Sequence, residues 1–167
     1  MITHEEFKNY YALYAKKLTN YLVANQVEYA KACDIVQESF VRLWNKRNDL
    51  NSNDSISAYV FQIARNLRID YLRTEKFSVV VDVDEHPDDF VDNTEPSIAS
   101  DSAILRQRIK KALSEIPADL AQAYTMYQLA DLSIKEISQQ LSISESNVKV
   151  RLHRAREKFA ELLKDLR

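Results

Sequence analysis

Apolar residues recur along this chain at intervals of three and four positions, which is typical of helices with one buried face. The first third holds three such blocks. Thr3 and Glu6 have the spacing of a capping box that begins the first helix, and the second is expected from about Val27 to Lys46. The predicted core positions are Phe7, Tyr10, Tyr11, Tyr14, Leu18, Tyr21 and Leu22, then Val36, Phe40 and Leu43, then Ile56, Val60, Ile63, Leu67 and Tyr71.

Four more helices are expected from about Ser102 onwards, with Pro117 ending the first of them. Ser133 and Glu136 form a second capping box, and Ser144 is a candidate N-cap for the last helix. Their core positions are Leu105, Ile109, Ala112, Leu113, Ile116, Leu120, Ala123, Tyr124, Tyr127, Ile137, Leu141, Ile143, Val148, Leu152, Ala155, Phe159 and Leu162. The last two helices have the layout of a helix-turn-helix that enters a DNA major groove, although an ordinary helical hairpin has the same pattern.

An acidic segment separates the two helical blocks. Residues 77–101 hold Pro87 and Pro96 and no basic residue. The acidic residues of this segment are Asp82, Asp84, Glu85, Asp88, Asp89, Asp92, Glu95 and Asp101. We expect an extended or disordered linker, with a short strand over Val79–Val83 as the alternative. The net charge of −2 therefore conceals two flanking blocks that are mildly basic together.

Composition excludes several classes of site. Glycine is absent, which excludes the Gly-rich phosphate loops of nucleotide-binding folds. The single Cys33 excludes an internal disulfide, and it is expected to be a small buried core residue. The three histidines show no metal-ligand spacing, so neither metal nor cofactor is expected. No signal peptide or long apolar run is evident, and we expect a soluble, intracellular protein.

Two helix surfaces suit nucleic acid. The polar face of the third helix carries Tyr59, Gln62, Asn66, Asp70 and Arg73, flanked by Arg65, Arg68 and Lys76. A ring, amides and cations on one face suit a single strand, because bases stack on the ring and the amides reach base edges. A solvated helix face explains the same residues. On the last helix, short polar groups at the N-terminal end suit base edges and the later cations suit phosphates.

Three segments together resemble a known family. They are DIVQESFVRLW from Asp34 to Trp44, AYVFQIARNLRIDYLR from Ala58 to Arg73, and the helix-turn-helix. Their order resembles the extracytoplasmic-function group of bacterial RNA polymerase sigma factors. The resemblance implies an all-α fold of two small domains, sigma region two (1–76, a three-helix bundle) and sigma region four (102–167), joined by the acidic linker.

The resemblance also implies a role for each surface. The second helix would dock on the clamp coiled-coil of the polymerase largest subunit through Asp34, Gln37, Glu38, Arg42 and Trp44, although Trp44 could instead pack in the core. The loop from Asn51 to Ser57 and the third helix would melt and bind the minus-ten element. The residues implied there are Asn51, Ser52, Asn53, Tyr59, Gln62, Arg65, Asn66, Asp70 and Arg73. Asp70 would accept from a base amine or orient a neighbouring Arg.

The last helix would read the minus-thirty-five element as duplex. The candidates for base contacts are Glu145, Ser146, Asn147 and Lys149, with Ser144 at the cap, and those for backbone contacts are Arg151, Arg154 and Arg156. The linker would mimic nucleic acid in the polymerase cleft, or act only as a solvated tether.

The expected function is that of a sigma factor with no active site of its own. It would be a monomer when free, cytoplasmic, associated with the nucleoid in the holoenzyme, and not inserted in a membrane. Its partners would be core RNA polymerase, promoter DNA and an anti-sigma factor. The rivals are a dimeric stand-alone helix-turn-helix regulator, which predicts palindromic sites, and an interaction protein that does not read DNA. No motif supports an enzyme.

Overall fold

The computed structural model describes residues 1–50, 55–75 and 99–164 of the 167-residue chain. These residues form seven α-helices and no strand. The helices are α1 (His4–Ala24), α2 (Tyr29–Asn45), α3 (Ile56–Glu75), α4 (Ala99–Glu115), α5 (Ala118–Gln128), α6 (Ile134–Leu141) and α7 (Glu145–Leu163). The all-α prediction is therefore confirmed for the part of the chain described.

The predicted helix starts are confirmed at three caps. At α1, Glu6 N donates to Thr3 Oγ1 at 3.2 Å while Thr3 N donates to the Glu6 carboxylate at 2.8 Å. Ser133 and Glu136 form the same reciprocal pair at α6, with both distances 3.1 Å. At α7, Asn147 N donates to Ser144 Oγ at 3.0 Å. Each pair satisfies backbone donors that a helix start leaves without a partner.

Helices α1, α2 and α3 pack on one another as a three-helix bundle. The buried face of α3 is centred differently from the prediction. Phe61 and Ala64 are buried there, whereas Ile63, the predicted core residue, is only half-buried. Helix α3 packs against both α1 and α2, and the Phe61 ring meets the buried Tyr21 ring of α1 at 4.8 Å. Tyr11 of the predicted α1 core is also 45% exposed.

Helices α4 to α7 form the second unit, in which α7 packs on α4, α5 and α6. Ile137, Val148 and Leu152 are buried as predicted and join α6 to α7. Ser142 takes a left-handed conformation (φ 55°, ψ 45°), so the turn forms without glycine. Helix α4 begins at Ala99, three residues before the predicted start of this block.

The two units are in direct contact. Buried residues of α1, α2 and α3 belong to the same apolar cluster as Ala123, Met126 and Leu132 of the second unit. Ala24 of α1 joins a smaller cluster with residues of α4, α5 and α7. Residues 77–98 of the predicted acidic linker, with the alternative strand over Val79–Val83, lie outside the described residues, whereas its last three residues, 99–101, begin α4 and are helical.

Two further expectations concern the burial of Cys33 and the absence of a membrane-spanning helix. Cys33 is half-buried rather than buried, because it lies at the first turns of α2 beside Tyr29 and not on the inner face. In the described ranges, no helix is long and apolar enough to span a membrane.

Candidate partner and nucleic-acid interfaces

Helix α2 presents a polar face to solvent. Asp34, Gln37, Glu38 and Arg42 are all exposed, while Ile35, Val36, Phe40 and Leu43 are buried on the opposite side. Arg42 Nε donates to Glu38 Oε1 at 3.1 Å, which orders two of these side chains one helical turn apart. An exposed ion pair of this kind adds little stability, so its charges remain available for a partner.

An apolar groove of about 460 Å³ adjoins this polar face. It lies between α1 and α2 and is lined by His4, Phe7, Tyr11, Gln37, Phe40, Val41 and Trp44. Val41 is 52% exposed at its edge. Apolar surface beside ordered charges is typical of a protein-docking site.

Trp44 forms one wall of this groove and is half-buried. Its ring meets Phe7 edge-on at 5.0 Å and His4 at 5.7 Å, and the Arg47 guanidinium stacks on it at 4.0 Å. Arg47 also donates to the Trp44 carbonyl oxygen at 2.9 Å. Trp44 therefore packs α1 against α2 and still lines the groove, so the two roles considered for it are compatible.

The polar face of α3 is only partly open. Gln62, Asn66, Asp70 and Arg73 are exposed at successive turns, as a strand-binding face requires. Tyr59 differs, because its ring is half-buried and packs against the apolar core. A half-buried ring is rigidly held, and it offers less of its surface for base stacking than a fully exposed one.

Arg65 of α3 reaches the C-terminal half of the protein, whereas Arg68 bonds to the end of α1 within the first unit. Arg65 Nη1 donates to the Gln140 carbonyl oxygen at 3.5 Å, and its buried Nε has no hydrogen-bond partner among the described residues. Arg68 donates through Nε and Nη2 to the Asn25 carbonyl oxygen at 3.2 and 3.1 Å. Burial lowers the pKa of Arg68; the nearby Tyr21 opposes this shift, and the Arg65 charge adds to it. Neither contact is evident from the sequence pattern.

Helix α7 exposes its N-terminal end. Glu145, Ser146, Asn147 and Lys149 are exposed, whereas Val148, Leu152 and Ala155 are buried against the unit. Arg154 is exposed and Arg151 is half-buried. The Arg156 guanidinium lies 5.7 Å from the centre of the Tyr127 ring. Polar groups at the start of the helix and cations along it have the arrangement that a major-groove helix needs.

Sequence and structure comparisons identify the family. Residues 7–77 match the model for sigma-70 region 2, and residues 106–159 match that for sigma-70, region 4. The chain is 30% identical over 152 residues to the ECF RNA polymerase sigma factor SigM of Bacillus subtilis (strain 168), covering 91% of both chains. This chain belongs to the extracytoplasmic-function group of sigma factors.

One further relative is similar to this sigma factor in sequence, and two solved structures are similar to it in fold. It is 28% identical over 144 residues to the ECF RNA polymerase sigma factor SigW of the same strain, covering 81% of this chain and 77% of SigW. Its fold is similar to that of the sigma factor RpoE from Bartonella quintana, solved in complex with the anti-sigma factor NepR. The TM-score is 0.72 at 23% identity, with 96% of this chain and 98% of that chain covered. It is also similar to CnrH, solved with the cytosolic domain of CnrY (TM-score 0.71, 19% identity, 98% and 90% covered).

Membership of this group establishes the function at the level of the whole chain. The protein is a promoter-specific sigma factor that acts in transcription initiation, so the expectation from the sequence is confirmed. Sigma factors are initiation factors and not enzymes. The residue roles remain predictions, and Asn51, Ser52 and Asn53 lie outside the described residues.

Two exposed apolar residues were missed by the sequence analysis. Val41 stands beside Glu38 and Arg42 on the outer side of α2, and Val150 is 45% exposed between Lys149 and Arg151 on α7. The predicted core positions include neither valine, but no role was assigned to them outside the core. Each valine lies outside the buried face that Phe40 or Val148 marks on its helix. This helical register is the feature of the sequence from which their exposure could have been predicted.

Proposed function

We propose that the exposed face of α2 docks this sigma factor on the clamp coiled-coil of the polymerase largest subunit. Asp34, Gln37, Glu38 and Arg42 would make the polar contacts, and Trp44 with the adjoining groove would supply apolar area. The observation that supports this best is the adjacency of an ordered ion pair and an open apolar groove on one helix pair. A central apolar contact with a polar rim is the general form of a stable protein interface.

The minus-ten element would be bound as a single strand along α3. Gln62 and Asn66 would reach base edges, and Arg73, with Arg65 once exposed, would hold phosphates. Tyr59 would support a base from one side. Residues 51–57, the last two of which begin α3, would form the pocket for a flipped base.

The minus-thirty-five element would be read as duplex by α7. Glu145, Ser146, Asn147 and Lys149 would face base edges, with Ser144 holding the helix start. Arg151, Arg154 and Arg156 would contact the DNA backbone. Val150 adds a candidate for the methyl group of thymine, since apolar side chains in the major groove recognise it.

The sigma factor would contribute positioning and duplex opening, while the polymerase performs the chemistry. It would act in the cytoplasm, bound to the nucleoid once it is in the holoenzyme. The solved complexes of RpoE with NepR and of CnrH with CnrY support an anti-sigma partner for this chain too. Purifying the tagged protein at its native level from uninduced cells tests this, because the partner should co-purify in near-equal amount.

Run-off transcription tests the proposal. The reaction contains core polymerase, this protein and a pool of genomic fragments from its own organism. Transcripts that appear only with the protein present would carry a shared upstream sequence, which gives the promoter. Core binding without any transcript would refute the promoter roles of α3 and α7. Neither binding nor transcript would refute the docking role as well and favour a stand-alone regulator.

A further inference from the structure

Helices α5 and α7 of the second unit meet through two side-chain contacts in register. The Tyr124 ring of α5 packs on the Phe159 ring of α7, with the ring centres 5.5 Å apart. One turn later on α5, the centre of the Tyr127 ring lies 5.7 Å from the guanidinium carbon of Arg156, which is one turn earlier on α7. The two helices therefore run antiparallel here, and the packing of the first pair fixes the separation of the second.

Tyr127 is firmly held by its surroundings. It is half-buried and packs against the apolar core of the protein. It also lies in the last turn of α5, which ends at Gln128. A ring fixed in this way attracts a cation to its negative face and restricts the motion of that cation.

Arg156, in contrast, is an exposed residue of α7. It follows Lys149 by nearly two helical turns, so the two side chains leave α7 on the same side, about 10 Å apart along the helix axis. Lys149 is proposed to face base edges in the major groove, which is about 12 Å wide. A cation that far beyond a base-reading residue is well placed for the phosphates at the edge of the groove.

The contact with a ring distinguishes Arg156 from the other two arginines proposed for the DNA backbone. No ring is recorded over the guanidinium of Arg151 or Arg154 in the part of the chain that the structure describes. A guanidinium drawn to the face of a ring keeps N–H groups free at its own edge, and these can donate to a phosphate in pairs. Arg156 is thus restrained before DNA binds and still able to contact it.

We propose that Tyr127 is a positioning residue of the minus-thirty-five interface, which holds the Arg156 guanidinium in advance for a DNA phosphate. This inference rests on the proposed role of α7 and adds a residue from α5, outside the helix-turn-helix. A long side chain loses rotamer freedom when it is fixed on a phosphate, and a restrained one loses less. Tyr127 therefore raises DNA affinity through Arg156 and not through a contact of its own.

A double-mutant cycle tests this coupling. Holoenzyme is titrated against a fluorescently labelled duplex fragment that carries the minus-thirty-five element of a promoter found by run-off transcription, and anisotropy gives the affinity. Tyr127→Leu should weaken binding about two- to fivefold when Arg156 is present, which is the effect of one exposed cation–π contact. It should have no effect in an Arg156→Ala background. A purely structural role of Tyr127 would weaken binding equally in both backgrounds.

Tyr124→Leu is the matched control, because the Tyr124 ring is one turn away on α5 and packs on Phe159. Any loss of affinity that it causes comes from the packing of α5 on α7. That loss should therefore be the same with and without Arg156. A dependence on Arg156 as large as that of Tyr127→Leu would overturn the specific role of Tyr127.

The electronic character of the ring provides a second readout, which holds even if Tyr127→Leu disturbs the packing of α5. Tyr127→Phe keeps the ring and should bind the fragment as the wild type does. Phenylalanines with one, two and three ring fluorines at position 127 weaken the negative face with little change of shape, so affinity should fall stepwise. Equal affinities across the fluorine series would overturn the inference. A loss in Tyr127→Phe as large as in Tyr127→Leu would also overturn it, because the hydroxyl group would then be responsible.

Salt dependence separates this inference from the proposed function on which it rests. Arg156→Ala should reduce the slope of log affinity against log salt concentration by about 0.9, the value for one lost phosphate contact. An unchanged slope and affinity would refute the phosphate role of Arg156, and the positioning role with it. A reduced slope together with an equal effect of Tyr127→Leu in both backgrounds would leave Arg156 on the phosphate and refute only the role of Tyr127.

Discussion

Single residues on α7 carry the expected promoter specificity. Lys149 is exposed near the helix start, whereas Lys158 is exposed about two and a half turns further on, outside the set proposed for DNA. Lys149→Ala should lower transcription from a minus-thirty-five-dependent promoter by about tenfold or more, since one good base contact contributes on the order of 1–3 kcal/mol. Lys158→Ala should have little effect. An equal loss of transcription in both variants would mean that Lys149 contributes only its positive charge and makes no specific base contact.

On α2, Gln37 is expected to contribute to docking on core polymerase, because it is exposed and lines the apolar groove. Gln37→Ala should weaken binding to core polymerase, measured by fluorescence anisotropy of labelled protein, without changing the thermal midpoint of unfolding. Asn45→Ala is the control, because Asn45 is also exposed on α2 and does not line the groove. Unchanged core affinity for Gln37→Ala would place the docking surface elsewhere.

At the scale of elements, α6 depends on its cap. Burial raises the pKa of Glu136, but hydrogen bonds from Ser55 and Ser133 outweigh this and hold the pKa below its usual 4.5. A lowered pKa in the folded state means that the charged form stabilises the fold. That stability is fully present above pH 4.5 and is lost as the pH falls through the lower folded value.

Glu136→Gln tests this dependence because it removes the titrating group and keeps the side chain's shape. The variant should be less stable than the wild type at neutral pH, in urea unfolding followed by circular dichroism. The difference should shrink as the pH falls below 4.5. A difference that does not change with pH would show that the carboxylate charge is irrelevant to the cap.

Local elements were predictable because their causes are local. The caps at Thr3, Ser133 and Ser144 need only residues within one turn, and each was confirmed. The face that α3 buries was predicted less well. Phe61 and Ala64 are buried where α3 packs against both α1 and α2, with Phe61 on Tyr21 of α1, and apolar spacing within one helix does not show how two neighbouring helices divide its surface.

Across the whole molecule, the contact between the two units could not be predicted. Arg65 was predicted to flank the polar face of α3 and to bind DNA, yet it reaches the Gln140 carbonyl oxygen of α6 in the second unit. Such contacts join residues far apart in sequence, and helix periodicity carries no signal for them. The roles of the separate surfaces were predicted through the resemblance of three motifs to one family, and their assignment to residues still awaits experiment.

The net charge of −2 leads to a prediction for the free protein. We expect it to bind duplex promoter poorly at physiological salt, with affinity rising steeply as salt falls, because its DNA contacts are mainly electrostatic. Fluorescence anisotropy over a salt series measures this. Tight binding that does not depend on salt would contradict the view that the polymerase supplies much of the binding energy.

Permanganate footprinting at an identified promoter tests the central claim most directly, because it detects unpaired thymines. Core polymerase together with this protein should make thymines of the minus-ten element reactive, and neither component alone should do so. Gln62→Ala with Asn66→Ala should abolish the reactivity while core binding is kept. A promoter that stays unreactive with bound wild-type holoenzyme would contradict the account of α3 as the strand-binding helix.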